Sequence, residues 1–208
     1  MTDDPRLFAP ATARNRDPIW TVLGPELPTR GLVLEIAAGS GEHSIHFARL
    51  SMPTLHFQPT DPDAAARASI DAWAARSDLA NLKPALALDA AADDWPVTRA
   101  DVVVCINMVH ISPWEATEGL IRGAARVLPP GGLLFLYGPY RRNGQHTAPS
   151  NAAFDADLRR RNPAWGVRDL EAVVALAAEA RFAAPVVVPM PANNFSLLFR
   201  RAAAAGGN

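Results

Sequence analysis

The stretch Gly31-Leu-Val-Leu-Glu-Ile-Ala-Ala-Gly-Ser-Gly41 decides the fold, because it joins an apolar strand to a glycine-rich turn. Residues 31–36 are mostly large and apolar, which is typical of a strand buried inside a sheet. Gly39 and Gly41 let the backbone turn sharply and approach a ligand without a Cβ in the way. A helix is predicted from Glu42 to Leu50, and its start presents free N–H groups to a polar or anionic ligand. The stretch therefore predicts a strand–loop–helix unit that binds a ligand at the loop.

Strand-like and helix-like segments alternate along the chain, which is typical of βαβ units and a parallel sheet. Further strands are predicted at 54–58, 86–88, 101–107, 133–137, 185–189 and 195–200. Further helices are predicted at 61–77, 112–128, 151–161 and 169–180, with one more at 11–23. The pattern predicts a single Rossmann-like α/β domain over 1–208 with helices on both faces of the sheet. Within it, 1–26 is expected to form a lid-like helix and 202–208 a flexible tail.

Composition and charge narrow the possible functions. The 208 residues are 49% hydrophobic and carry a formal net charge of -1, which is the balance of a globular domain. Nucleic-acid binders usually show a basic excess or stripe, and none stands out, so no nucleic-acid partner is expected. The single cysteine, Cys105, favours a reducing, cytoplasmic compartment. The apolar runs have the length of strands, so no membrane span is predicted.

Polar side chains follow the ends of neighbouring predicted strands. Asp61 lies 20 positions beyond Gly41, just past the second strand, where a carboxylate can accept hydrogen bonds from ribose hydroxyls. Asp89 ends the third strand and, with Ala90 beside it, is the candidate position for an adenine; Asn107 ends the fourth. Taken singly, each aspartate equally fits a helix cap or a turn residue. Taken together at the ligand-binding edge of an open sheet, these residues predict a nucleoside-containing cofactor.

The form of the glycine loop distinguishes between nucleotide cofactors. Dinucleotide enzymes use G-x-G-x-x-G to bind a pyrophosphate. This chain instead has the acid Glu35 followed by Ala37, Gly39 and Gly41, and Ser44 stands where a third glycine would be. An acid followed by A/G-x-G-x-G is the form typical of S-adenosylmethionine-binding methyltransferases. The loop residues from Glu35 to Gly41 are therefore predicted to hold S-adenosylmethionine, and NAD is disfavoured.

The chain resembles domain-of-unknown-function family 938, a group of class I methyltransferase-like proteins that includes methyltransferase-like protein 26 in animals. The likeness extends from about Ala9 to Arg200. It rests on the stretches Ala13–Arg16, Leu34–Gly41, Gln58–Asp61, Asn107–Trp114, Tyr137–Tyr140, Gln145–Asn151 and Met190–Asn194. The resemblance implies a seven-stranded, mostly parallel sheet with an antiparallel last strand, and S-adenosylmethionine as cofactor. It implies no particular methyl acceptor.

Four residues are candidates for contacts beyond the loop. Asn15 and Arg16 are expected to fold over the cofactor, because an arginine fork matches a carboxylate; a surface charge is the alternative. His110 follows the fourth strand and is the candidate general base, since imidazole titrates near neutral pH. A structural histidine that hydrogen-bonds the loop is equally compatible with this position. Tyr140, after the fifth strand, is a second catalytic candidate in a segment expected to wall the acceptor pocket.

The predicted function is methyl transfer from S-adenosylmethionine, with S-adenosylhomocysteine as product, to an unidentified small molecule. The alternative is a non-catalytic module that retains the fold and binds the cofactor or a protein partner. His43 and His46 share a helix face, but no cysteine or nearby carboxylate completes a tetrahedral set, so no metal site is predicted. The oligomeric state and the acceptor atom are left open.

Overall fold

The computed structural model describes residues 4–203, and a six-stranded sheet lies at its centre. The strands are β1 (Gly31–Ile36), β2 (Leu55–Pro59), β3 (Val102–Ile106), β4 (Leu133–Gly138), β5 (Tyr140–Arg142), β6 (Gln145–His146), β7 (Arg168–Asp169), β8 (Val186–Met190) and β9 (Asn194–Arg200). The central sheet has the order β2-β1-β3-β4-β9-β8. Strands β1 to β4 pair in parallel, and β9 runs antiparallel to both of its neighbours. Strands β5 to β7 form a separate small sheet.

Helices cover both faces of the central sheet. They are α1 (Pro10–Leu23), α2 (Glu42–Leu50), α3 (Ala64–Ala75), α4 (Trp114–Val127), α5 (Pro149–Arg161) and α6 (Leu170–Glu179). One apolar cluster packs Leu120 of α4 and Val173 of α6 against the sheet, and a second packs Ile19 of α1 and Phe47 of α2. Alternate side chains of the buried strands enter opposite clusters, which fixes the register of each strand. The predicted Rossmann-like α/β fold is confirmed.

The predicted strand at Leu86–Leu88 is not formed, so the expected seven strands are corrected to six in the central sheet. The segment runs beside β2 but contacts it through two isolated bridges, at Phe57–Leu82 and Thr60–Leu86. From one bridge to the next, the chain advances three residues along β2, from 57 to 60, but four along the segment, from 82 to 86. The extra residue interrupts the ladder of hydrogen bonds, as a β-bulge does. Pro59 lies at the interruption and has no N–H to donate. The seventh strand is therefore reduced to bridges at the edge of the sheet.

The other predicted elements agree with the structure to within a few residues. The stretch 138–150, predicted as a loop, contains β5, β6 and the start of α5. Helix α1 is anchored by Ile19 and Leu23, which are completely buried, so only its first half lies over the strand ends. The predicted tail at 202–208 lies outside the described residues from position 204 onward. Within residues 4–203, no helix combines the length and apolar character needed to cross a membrane.

Two glycines on α4 let residues 90–95, which lie between α3 and β3, pack directly on that helix. An ideal Cβ on Gly119 would lie 2.1 Å from the carbonyl oxygen of Ala90, and one on Gly123 would lie 2.1 Å from the Trp95 ring. Because the first of these neighbours is backbone, it cannot move aside as a flexible side chain does. The position of Ala90, and of Asp89 before it, therefore depends on the absence of a side chain at Gly119.

We predict that Gly119→Ala lowers the free energy of unfolding by about 1–3 kcal/mol, the usual effect of overpacking. A glycine-to-alanine change inside a helix otherwise stabilises by about 1 kcal/mol, so the expected sign is reversed. Chemical denaturation measures the change, and Glu118→Ala on the same helix is the control for helix propensity. A variant as stable as the wild type, or more so, would show that the contact between Gly119 and Ala90 is not close.

Candidate active site

The loop after β1 adopts left-handed backbone conformations at three alternate positions. Ala37, Gly39 and Gly41 have φ values of 54°, 58° and 88°. A Cβ on Gly41 would lie 2.9 Å from the Cα of Ile70, so helix packing requires this glycine. An ideal Cβ on Gly39 meets no atom within 4 Å. Gly39 therefore presents bare backbone to open space, which is the arrangement that a closely approaching ligand needs.

Asp61 joins the loop after β1 to the end of β2. Its Oδ2 accepts a hydrogen bond from the Gly39 N–H at 2.9 Å, and its Oδ1 accepts one from the Asp63 N–H at 2.9 Å. The cap of α3 is Asp63, whose carboxylate accepts from Ala65 N–H, so Asp61 is not needed as the cap. Each oxygen of a carboxylate has a second lone pair, so Asp61 can still accept hydrogen bonds from ligand hydroxyls.

Glu35 lies beneath the loop and does not line it. Its side chain is buried and accepts a hydrogen bond from the Ser44 hydroxyl in the first turn of α2. Burial raises the pKa of Glu35 to about 7, and the nearby charge of Asp61 acts in the same direction. Ser44 occupies the position where dinucleotide-binding loops have their third glycine. The pair therefore holds the end of β1 to α2 and supports the loop from below.

The remaining predicted cofactor residues lie at the same edge of the sheet. Asp89 is exposed, and its Oδ1 accepts a hydrogen bond from the Ala91 N–H at 2.9 Å, while Ala90 is buried against α4. Asn107 is left-handed, with φ 66°, and its N–H donates to the Tyr137 carbonyl at 2.8 Å. Asp89 follows the segment that bridges to the end of β2 at Thr60–Leu86, Asn107 follows β3, and β1 lies between β2 and β3 in the sheet.

A cavity of about 610 Å³ opens beside Asn107. Its walls are the first half of α1, the ends of β3 and β4, the start of α5 and the turn at 191–193, which contribute Arg14, Asn15, Asn107, His110, Asn151 and Asn194 among others. Three residues predicted from sequence, Asn15, Asn107 and His110, thus meet at one cavity. Arg14 and Phe154 were not predicted. Arg14 belongs to a stretch that carries the family resemblance, which is the signal that could have found it.

His110 is buried in the wall of this cavity. Burial lowers its pKa to about 3, with a further contribution from the positive charge of Arg168. Its ring lies against Gly138, whose ideal Cβ would be 2.9 Å from Nδ1, and meets the Phe154 ring edge-on at 5.5 Å between centroids. Arg168 donates hydrogen bonds to the Val109 and Ser112 carbonyls and so fixes the turn around His110. His110 is therefore neutral at physiological pH and can accept a hydrogen bond.

Asn15 links α1 to the site. Its Oδ1 lies 2.9 Å from His43 Nε2, and both Asn15 and Tyr137 line the large cavity. The neighbouring His46 contacts Asp17 instead, at 2.9 Å, so the two histidines of α2 have separate partners. The Asn15 amide therefore attaches α1 to α2 beside the cavity.

Two predicted site residues lie away from the cavity. Arg16 lines a separate groove of about 210 Å³ between α2 and α3, together with Arg6, Arg49 and Arg76. Tyr140 is buried in the core with its hydroxyl unpaired among the described residues, and burial raises its pKa. Neither placement supports the predicted role, since Arg16 lines a separate groove and Tyr140 is enclosed by apolar side chains.

The sheet order and the left-handed loop after β1 define a Rossmann-like α/β fold. Residues 6–201 match the family described as "Protein of unknown function (DUF938)", and the chain belongs to that family.

Solved structures of methyltransferases share the fold. Human N-acetylserotonin methyltransferase in complex with SAM superposes with a TM-score of 0.77 at 14% identity, over 93% of this chain and 53% of that one. An O-methyltransferase family protein from Burkholderia thailandensis gives a TM-score of 0.78 at 20% identity, over 93% of this chain and 58% of that one. This chain thus spans little more than half the length of these two proteins. The YcgJ protein from Bacillus subtilis is covered completely, with a TM-score of 0.67 at 16% identity over 91% of this chain.

The raised pKa of Glu35 predicts that stability falls with pH. Because the folded-state pKa of about 7 lies above the ordinary value of 4.5, the stabilising contribution is full below pH 4.5 and is lost as pH rises through 7. The free energy of unfolding should fall by up to about 3 kcal/mol over this window. Glu35→Gln should remove that part of the pH dependence, because the amide oxygen can still accept from Ser44.

Urea denaturation at several pH values between 4.5 and 8 provides the measurement. The readout is the difference between wild type and variant, since other groups titrate in both proteins. Glu179→Gln, at an exposed position near the end of α6, is the matched control. Stability curves for wild type and Glu35→Gln that stay parallel over the whole range would contradict the prediction.

Proposed function

We propose that the protein transfers a methyl group from S-adenosylmethionine to a small-molecule acceptor bound in the 610 Å³ cavity. The observation that carries the proposal is the unobstructed backbone of Gly39, which lies beside the Asp61 carboxylate. Gly39 follows β1, and β3, which ends just before Asn107, is the neighbouring strand. A cofactor site and an acceptor cavity would then lie side by side along the carboxyl ends of the strands, where open α/β sheets bind ligands.

The residues at this edge fit S-adenosylmethionine. Asp61 has lone pairs for ribose hydroxyls, Gly39 offers bare backbone to the amino-acid part, and we assign Asp89 and Ala90 to the adenine. When bound, the cofactor supplies an electrophilic methyl group on a sulfonium. The likeness to an enzyme solved in complex with SAM supports this assignment.

The chain's own residues contribute mainly orientation. Placing the acceptor atom in line with the methyl group is worth up to roughly 7–11 kcal/mol in favourable cases. We assign this role to Asn107 and His110, which lie in the wall of the cavity. His110 is a weak proton acceptor while buried, so it is suited to accept a hydrogen bond from an acceptor hydroxyl. We therefore replace the general-base role that the sequence predicted for His110 with a role in positioning the methyl acceptor.

One observation favours the alternative of a non-catalytic module. The cavity-lining groups with shifted pKa values, His110 and Tyr137, both shift away from neutrality because they are buried. A cavity without a group near neutral pKa does not supply a strong base. The cytoplasmic location and the kinship with methyltransferase-like protein 26 remain predictions; the first rests on the single cysteine, Cys105.

Calorimetric titration of the purified protein with S-adenosylmethionine and S-adenosylhomocysteine tests the proposal first. We expect binding in the micromolar range, and Asp61→Ala should weaken it because an acceptor for ribose hydroxyls is lost. A screen with methyl-labelled cofactor and a broad panel of small molecules then tests transfer. Cofactor binding without transfer to any acceptor would favour the non-catalytic alternative, and a folded protein that binds neither compound would reject both cofactor proposals.

Gly39→Ala separates a ligand-binding role of the loop from a structural one. We expect at least about a tenfold loss of S-adenosylhomocysteine affinity, because the new Cβ projects into the space left for the ligand. The left-handed backbone itself should destabilise the fold by only about 1–2 kcal/mol.

Gly131→Ala is the matched control. Gly131 is also left-handed, its Cβ would also meet nothing within 4 Å, and it precedes β4 at the opposite edge of the sheet. This variant should lose similar stability and keep its affinity. Equal S-adenosylhomocysteine affinity in the two variants would show that Gly39 does not contact the ligand.

A further inference from the structure

The polar side chains that line the large cavity are five amides, one guanidinium, the His110 imidazole and two hydroxyl-bearing residues, Tyr137 and Ser150. Among its lining residues, all of which lie within 4–203, none is an aspartate, a glutamate or a lysine. The amides are those of Asn15, Asn107, Asn151, Asn193 and Asn194. An ammonium group placed in this cavity would find carbonyl oxygens but no opposite charge, and burial of an unpaired charge is strongly unfavourable. The lining therefore disfavours cationic amines.

The carboxylates that follow lining residues on α1 and α5 are already engaged: Asp17 contacts His46, and Asp155 has other partners. Asp155 follows the lining residues Ser150, Asn151 and Phe154 on α5. Its oxygens accept hydrogen bonds from the Val167 N–H at 2.7 Å and from Arg159 at 3.1 Å. These contacts satisfy Asp155 away from the cavity, so it does not supply the missing negative charge.

Arg14 is the cationic side chain of the lining that lacks a partner of its own. It takes no part in the ion pairs formed within residues 4–203. Other arginines differ: Arg6 and Arg76 share Asp4, and Arg141 pairs with Asp169. A guanidinium fork matches a carboxylate in both geometry and charge. The cavity thus has a place for one anionic group.

Apolar surface completes the cavity. Ile111 and Phe154 are large hydrophobic residues that stay partly exposed, at 41% and 38%, and both line it. Pro18 and Pro139 add rigid apolar wall on the α1 and β4 sides. A flat, ring-sized apolar body between these residues would cover surface that is otherwise in contact with water, which favours binding.

We propose that the methyl acceptor is a hydroxylated ring compound bearing a carboxylate, with the carboxylate on Arg14 and the hydroxyl towards Asn107 and His110. This inference rests on the proposed function, because it concerns the acceptor of the same reaction. In the transfer, the hydroxyl oxygen forms a bond to the methyl carbon of the sulfonium donor. The bond between that carbon and sulfur breaks with its electron pair left on sulfur, and the hydroxyl proton is released to solvent.

Three matched probes test the acceptor class: hydroxybenzoate, hydroxybenzamide and hydroxybenzylamine with the same ring position substituted. Titration calorimetry with the full chain measures binding, and labelled-methyl transfer measures turnover. We expect hydroxybenzoate to bind more tightly than hydroxybenzylamine. Arg14→Gln should weaken hydroxybenzoate binding about tenfold and leave hydroxybenzamide unchanged, as expected for loss of one charge-assisted contact. Arg30→Gln, at an exposed position ahead of β1, should change neither.

The outcomes separate this inference from the proposed function. Hydroxybenzoate binding that depends on Arg14, without methyl transfer, upholds the ligand class and counts against the enzyme. Transfer to hydroxybenzylamine in preference to hydroxybenzoate upholds the enzyme and overturns the ligand class. The inference is also overturned if none of the probes binds at millimolar concentration. The inference is likewise overturned if Arg14→Gln weakens the binding of S-adenosylhomocysteine but not of hydroxybenzoate, because Arg14 would then contact the cofactor.

Discussion

The carboxylate of Asp61 accepts one backbone N–H from the loop after β1 and one from its own loop after β2. Through these two hydrogen bonds, the left-handed turn at Gly39 is tied to the neighbouring strand. The turn sets where α2 begins, and α2 in turn supplies Ser44 to Glu35 and His43 to Asn15. The covering helix α1, and with it one wall of the large cavity, thus depends on an arrangement that starts with one buried acid.

Buried polar pairs, more than exposed ion pairs, determine the shape of the site. Glu35 with Ser44 lies below the loop, and Asn15 with His43 lies above it. Each pair is buried away from water. In the low-dielectric interior a hydrogen bond is electrostatically stronger, and an unpaired polar group is costly. The same burial leaves His110 uncharged. We therefore expect the proposed site to select its ligand by shape and hydrogen bonding, with Arg14 adding one charge.

Much of this arrangement can be predicted from sequence because strand ends are marked by particular residues. Gly39, Gly41, Asp61 and Asn107 follow apolar strands, and parallel strands bring their carboxyl ends to one edge. The missing seventh strand could not be predicted from apolar pattern alone, because a slip of one residue beside Pro59 depends on how two strands meet. The burial of Tyr140 and the position of Arg16 in a separate groove likewise depend on packing between distant segments, which neither spacing nor residue type encodes.

Strand β9 is the last strand of the described chain, and yet it lies inside the sheet between β4 and β8. All six residues of β4 are buried, so until residues 194–200 leave the ribosome this strand has an unpaired, apolar edge. Such an edge is a template for pairing with other chains. The sheet of this domain therefore keeps an edge open to other chains until residues 194–200 are available to pair with β4.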